Sequence, residues 1–366
     1  MNATDTVTPF RIEIPEPTLI DLRERLERTR WADAVADDWA RGTAPSALRE
    51  LVARWADGYD WRATEARLNR LAHYTYNGLH FVRVGTRGKQ PLLLIHGWPD
   101  SFLRFEKILP LLADDFDLIV PSIPGFGFSQ RPDTAGSSAP QAADRFNELM
   151  DHLGLTRYAV HGGDCGAQIG ELIALRHPEH VAALHITDLP FWHSFGLDPA
   201  TLSIEEQAYL GKAQEWARRE GAYAQQQTTK PQTLGYGLND SPAGLAAWLL
   251  EKYQSWTDGG YDKALGADAV LDNLTLYWVT QTAVSSVRFY FETAAALGEI
   301  LGRGPVTAPT AIAALPGDPT KPLRSLAERS LPIRRWTELP AGGHFGAWEQ
   351  PEALALDLHA FLSLHA

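Results

Sequence analysis

The chain has 366 residues, 45% of them apolar and 21% charged, with a formal charge of -12 at neutral pH, the make-up of a globular protein with one large domain and an insert, or two closely joined units. So acidic a chain is a poor match for nucleic acid or an anionic membrane, both of which select basic surface. A single cysteine, Cys165, excludes an intrachain disulfide and a thiolate metal cluster.

The chain starts MNATDTVTPF, with no basic segment leading into an apolar run, so no signal peptide is expected. No stretch approaches about 18 uninterrupted apolar residues, so no membrane span is expected and the location is read as cytoplasmic. In RIEIPEPTLIDLRERLERTRW, Pro17 opens a helix whose Leu19, Leu22 and Leu26 share one face. SALRELVARWADGYDW and WRATEARLNRL read as two further helices, so residues 1–75 form a helical leader packing on the core domain. The pattern then changes to strands. HFVRVG comes first, and PLLLIHGWP is an apolar run of the kind buried on both faces of a sheet. FDLIVPSIPGFGFS, RYAVHGG and VAALHITDLP are strands, with APQAADRFNELMDHLGL and AQIGELIALRHP as helices between them. Such alternation predicts an α/β fold with a mostly parallel sheet over 76–190. From 191 to 285 it stops, in a helical insert rich in Gln, Trp and Tyr. It resumes over 286–366 with PTAIAALPGD, IRRWTELPAGGHF and the final helix PEALALDLHAFLSL.

Chemistry concentrates at VHGGDCGAQIG, Val160 to Gly170. A strand, a tight turn between small residues and a helix present a strained, exposed nucleophile in many hydrolases, usually serine. Gly162, Gly163 and Gly166 supply the small positions, and Asp164 stands at the centre. A plain helix cap is the alternative reading of that aspartate. A carboxylate is already an anion near neutral pH, and a helix N-terminus favours its charge. It suits an sp3 carbon with a strained or good leaving group, such as an epoxide or an alkyl halide. Attack leaves an ester on the enzyme, which activated water must cleave. The backbone N–H of Cys165, and that of Trp98 in HGWP, are placed to hold the oxyanion. His344, in LPAGGHFGAWEQP, lies on a late loop and is the expected base. Asp318, in AIAALPGDP, ends the preceding strand and is the expected acid, with Asp188 in HITDLP as competitor. The chain order Asp164, Asp318, His344 matches nucleophile, acid and histidine in α/β-hydrolases. Cys165 is expected to be a small buried hydrophobe rather than a reactive thiol.

HGWP, PSIPGFGFS, GGDCGA, TTKPQTLGYGLNDSPAGLAAWLLEK, LYWVTQTAVSSVRFYFE and GGHFGAWEQPE resemble, in order and over nearly the whole chain, the microsomal-type epoxide hydrolases. The leader PFRIEIPEPTLIDLRERLERTRW is similar to that family's N-terminal region. The resemblance implies an α/β-hydrolase fold with a helical cap, opening of an epoxide to a vicinal diol by an aspartate nucleophile, and neither metal nor cofactor. It also implies two cap tyrosines that donate protons to the epoxide oxygen, which by motif fall at Tyr223 in GAYAQQQTTKP and Tyr290 in SSVRFYFE. Cys165 stands where many relatives carry Trp, the loops near the mouth of the site are short, and no N-terminal membrane anchor is expected. The expected partners are a small apolar epoxide, with a role in natural-product metabolism, and water. Whether the chain forms a homodimer is left open by the residues. A haloalkane-type dehalogenase with the same nucleophile, and a non-catalytic ligand-binding protein on the same fold, are the competing functions.

Overall fold

The computed structural model describes residues 6–301 and 304–365. Its centre is one nine-stranded sheet in the order β1-β2-β3-β5-β4-β6-β7-β8-β9. The strands are β1 (Thr8–Phe10), β2 (His73–Tyr76), β3 (Leu79–Gly85), β4 (Gln90–Ile95), β5 (Phe116–Pro121), β6 (Tyr158–Gly162), β7 (Val181–Ile186), β8 (Thr310–Ala314) and β9 (Ile333–Glu338). β1, β2, β3 and β5 pair antiparallel; every pairing from β5 through β4 to β9 is parallel.

The apolar run of β4 explains why the sheet is covered on both sides. Successive side chains leave a strand on opposite faces. Leu93 and Ile95 therefore join the core that contains helices Ala139–His152 and Cys165–Arg176. Leu92 and Leu94 join a second core with Leu354, Leu358 and Phe361 of the last helix, Pro351–Leu362.

Between β7 and β8 the chain leaves the sheet and forms the helical insert. Helices Ile204–Glu220, Ala222–Thr229, Pro231–Asp240, Pro242–Trp256, Ala267–Thr280 and Ala283–Ala295 carry most of it. The helices continue to Leu301, so the boundary expected at 285 falls within the helix Ala283–Ala295. The aromatic, β-branched stretch SSVRFYFE lies in that helix and packs against Ala222–Thr229 and Pro231–Asp240, as part of the insert.

The leader is mixed. β1 forms the sheet edge against β2, while helices Glu16–Glu27, Pro45–Ala56 and Trp61–Leu68 pack on one another or on the insert. Trp55 Nε1 donates to Thr275 Oγ1 at 2.8 Å, and Tyr59 and Thr64 each donate to Asp272 Oδ1 at 2.7 Å. Trp61 and Leu68 instead reach the core under the last helix. Among the described residues no helix is long and apolar enough to cross a membrane.

Candidate active site

The parallel strands aim their C-terminal ends at one edge of the sheet, where α/β folds place their sites. Asp164 follows β6 at φ +56° and ψ -130°, as the residue before helix Cys165–Arg176. A side chain rarely adopts positive φ, and the surrounding structure must hold it there. Part of the hold is steric. A Cβ on Gly166 would lie 2.1 Å from Ile95 O, so only glycine lets the helix start this close to β4. Another part is a hydrogen bond: Asp164 N–H donates to Asp188 Oδ2 at 2.6 Å.

The two carboxylate oxygens of Asp164 differ. Oδ1 accepts the Trp98 backbone N–H at 2.8 Å, and the Cys165 N–H also reaches the carboxylate. Oδ2 faces His344 Nε2 at 3.4 Å, a charge contact longer than a good hydrogen bond. A Cβ on Gly97 would sit 2.5 Å from Oδ1, so HGWP requires its glycine for the carboxylate to dock. Burial pushes the Asp164 carboxyl up, but His344 and the two N–H groups outweigh it and hold the group below the ordinary carboxylate range.

His344 sits on the loop after β9. Its N–H donates to Trp256 O at 2.8 Å, and its ring lies edge-on to Trp256. Nδ1 meets Asp318 Oδ2 at 3.0 Å and Asp188 Oδ1 at 3.5 Å. Burial disfavours the imidazolium, yet the charges of Asp318 and Asp188 win and raise His344 well above its ordinary value. Asp318 is turned by Thr320, whose N–H and hydroxyl donate to Oδ1 at 2.6 and 2.9 Å. Geometry thus brings together Asp164, Asp318, His344, Trp98 and Cys165. It places Asp188 beside them as well.

The insert supplies the opposite wall. The Tyr223 ring stacks on Trp98 at 5.4 Å, and Tyr290 meets Trp98 edge-on at 5.7 Å. The two phenols bond to each other, and burial with the nearby Asp164 charge keeps both neutral. Three other tyrosines of the insert are occupied or remote. Tyr253 donates to Pro99 O at 2.6 Å and Tyr277 to Asp100 O at 3.0 Å, while Tyr236 is 71% exposed. Cys165 is buried, and burial together with the Asp164 charge pushes its thiol well up, as suits a packing residue.

Residues 7–105 match the family described as epoxide hydrolase N terminus, and residues 90–351 match the alpha/beta hydrolase fold. The chain is 33% identical over 415 residues to epoxide hydrolase 1 of Sus scrofa, covering 98% of this chain and 89% of that protein. The chain belongs to the epoxide hydrolase family. Among solved structures, that of juvenile hormone epoxide hydrolase from Bombyx mori is similar with a TM-score of 0.89 at 30% identity, covering 99% of this chain and 95% of that one. The Aspergillus niger epoxide hydrolase is similar with a TM-score of 0.86 at 29% identity, covering 100% and 98%. As an epoxide hydrolase it acts on an epoxide and water.

Two features of this epoxide hydrolase site carry no signal in the sequence. Arg104 is buried under it: Nη2 donates to His344 O at 2.6 Å, Nη1 reaches Gly163 O at 3.4 Å, and Nε pairs with Asp100 Oδ2 at 2.8 Å. Nothing in SFLRF marks an arginine whose partners are carbonyls elsewhere in the chain. Lys252 lies over the Tyr223 ring at 4.5 Å. A lysine on an amphipathic helix ordinarily points to water, so pattern alone assigns it to the surface.

Proposed function

We propose that this epoxide hydrolase opens an apolar epoxide through a covalent ester on Asp164 and releases a vicinal diol. The observation that carries the proposal is the division of labour between the two oxygens of Asp164. Oδ1 is held by the Trp98 N–H, with the Cys165 N–H also on the carboxylate, and Oδ2 is left facing His344 Nε2. In this reading Oδ2 bonds to a ring carbon, the C–O bond breaks, and the oxygen takes a proton from the tyrosine pair Tyr223 and Tyr290. Ester formation removes the Asp164 charge, so His344 loses one of the groups that keep it protonated, releases that proton to solvent and can then accept one from water. The hydroxide attacks Cγ, and the oxyanion forms on Oδ1, already bound by the Trp98 N–H and close to the Cys165 N–H. Asp318 orients the imidazole and offsets its charge. The water's two protons end on the departing diol oxygen and on the tyrosine.

Trp98, Trp256, Tyr223 and Tyr290 form an aromatic wall around Asp164, which favours an apolar, ring-bearing epoxide of the kind met in natural-product metabolism. A single turnover in heavy-oxygen water tests the covalent route. Label is expected in the Asp164 side chain and not in the first diol released; label in that diol would overturn the route.

The dehalogenase reading keeps one observation. Trp98 Nε1 is buried without a hydrogen-bond partner among the described residues, and a ring N–H can hold halide. The residue after Asp164, however, is a thiol with no ring N–H, and two phenols occupy the opposite wall. No halide release from a haloalkane is expected; sustained release at rates matching epoxide turnover would favour the dehalogenase.

A further inference from the structure

The groups around His344 include a second carboxyl that the covalent route does not use. Asp188 is buried two residues beyond β7 and touches both halves of the machinery. Its Oδ2 accepts the Asp164 N–H at 2.6 Å and the Thr187 hydroxyl at 2.9 Å, and its Oδ1 faces His344 Nδ1 at 3.5 Å. One side-chain polar atom from each of Asp188, Asp318 and His344 lies within 4.8 Å of the other two. The contact with the nucleophile turn depends on Gly163, where a Cβ would come within 2.9 Å of Asp188 Oδ2. Arg104 Nη1 would lie 3.3 Å from the same Cβ and supplies the local cation, while Tyr209 of helix Ile204–Glu220 faces the two carboxyls from the insert.

Two buried carboxylates beside one imidazole cannot both ionise freely, so one retains a proton. Asp318 takes the imidazole contact and two bonds from Thr320, which favour its charged form. Asp188 also accepts two bonds, but its His344 contact is the longer one, and burial and the Asp318 charge push its carboxyl up to about 7. A protonated Asp188 can donate to Asp318 with one oxygen and accept the Asp164 N–H with the other. We propose that Asp188 is a positioning residue for the reaction, linking the strained Asp164 turn to the Asp318–His344 pair through a shared proton and so setting the negative charge that His344 faces during ester hydrolysis.

The proposal rests on the covalent reading, and the experiment separates the two. Wild type, Asp188→Asn, Asp318→Asn and the double variant are mixed with styrene oxide, quenched, and the Asp164 adduct is followed by mass spectrometry between about pH 5 and 9. The amide introduced by Asp188→Asn would keep an acceptor for the Asp164 N–H but could not ionise. Asp188 gives up its proton only as the pH rises through about 7, and the charge it then gains holds the His344 proton to higher pH. The low-pH limb of ester hydrolysis in Asp188→Asn is therefore expected to move down by at least roughly half a pH unit. In Asp318→Asn, Asp188 takes over as the charged partner. Ester hydrolysis there is expected to survive, and to fall by about tenfold or more when Asp188→Asn is added. A purely structural Asp188 would leave the pH profile in place and make the double variant equal to Asp318→Asn; either result overturns the proposal. Where Asp188→Asn folds poorly, the Asp318→Asn arm, which retains Asp188, still decides: ester hydrolysis lost there to the level of His344→Gln overturns the proposal. Absence of any adduct in every protein, with His344→Gln included, would instead remove the covalent reading itself.

Discussion

Asp164 combines a backbone at φ +56° with a carboxylate whose oxygens face different partners. Positive φ at a residue with a Cβ costs about 1–3 kcal/mol, which the packing of Gly166 and the Asp188 bond offset. Asp164→Asn should fold normally, since Asn tolerates positive φ well, but show no turnover; a melting curve beside a diol assay checks both. His344→Gln should still alkylate and then stall, giving a protein heavier by one substrate mass. The two half-reactions should also respond differently to pH. Asp164 is held below the ordinary carboxylate range, so adduct formation should stay nearly flat from about pH 7 down to about 5. Ester hydrolysis needs neutral His344, whose imidazole is raised well above its ordinary value, so it should already be falling as the pH drops towards 7 and go on falling below it. Rapid-quench measurement of each step reads this directly; parallel decline of both would contradict it. Removing the phenols one at a time, Tyr223→Phe or Tyr290→Phe, should lower the alkylation rate by about 10²-fold or more without changing ester hydrolysis.

At the scale of elements, the site is two loops and a turn pinned from below. Arg104 bonds the carbonyl before Asp164 and the carbonyl of His344, and its charge is paired with Asp100. Removing it leaves Asp100 buried and unpaired, a change that typically costs about 3–5 kcal/mol. Arg104→Met should therefore unfold at markedly lower urea and lose activity early in the transition, while Arg104→Lys should recover only part, because one ammonium cannot span both carbonyls. The strand ends that carry Asp164 and Asp318 are legible in the sequence because each follows an apolar run with a turn containing glycine, and the His344 loop is legible from its paired glycines. The end of the insert is not, because SSVRFYFE has strand-like composition and only its packing against Ala222–Thr229 and Pro231–Asp240 places the whole helix Ala283–Ala295 in the insert. Arg104 and the Asp188 contact are illegible for a different reason. The carbonyls that Arg104 bonds and the turn that Asp188 bonds lie 24 to 240 residues away, and no local periodicity encodes such a pairing.

For the whole molecule, the question is what keeps the insert with its tyrosines over the nucleophile. The leader provides much of the answer. Its helices pack on Pro242–Trp256 and Ala267–Thr280, while Trp61 and Leu68 are embedded under the sheet, so the same segment grips insert and core. Asp272 is the polar hub of that grip, accepting from Tyr59 and Thr64 and pairing with Arg67, which also pairs with Glu106 of the core. Burial pushes the Asp272 carboxyl up, even with Thr64, Tyr59 and Arg67 bonding it. A bonded charge of this sort contributes about 1.5–3 kcal/mol. Asp272→Leu removes the hub, and thermal unfolding of the variant should remain one cooperative transition at lower temperature if leader, insert and core form a single unit. Trypsin should then cut within the leader more rapidly, and the KM for styrene oxide should rise as the tyrosine wall loses its brace. A leader that melts in a separate early transition, with turnover and KM unchanged, would show that the insert holds its place over Asp164 without it.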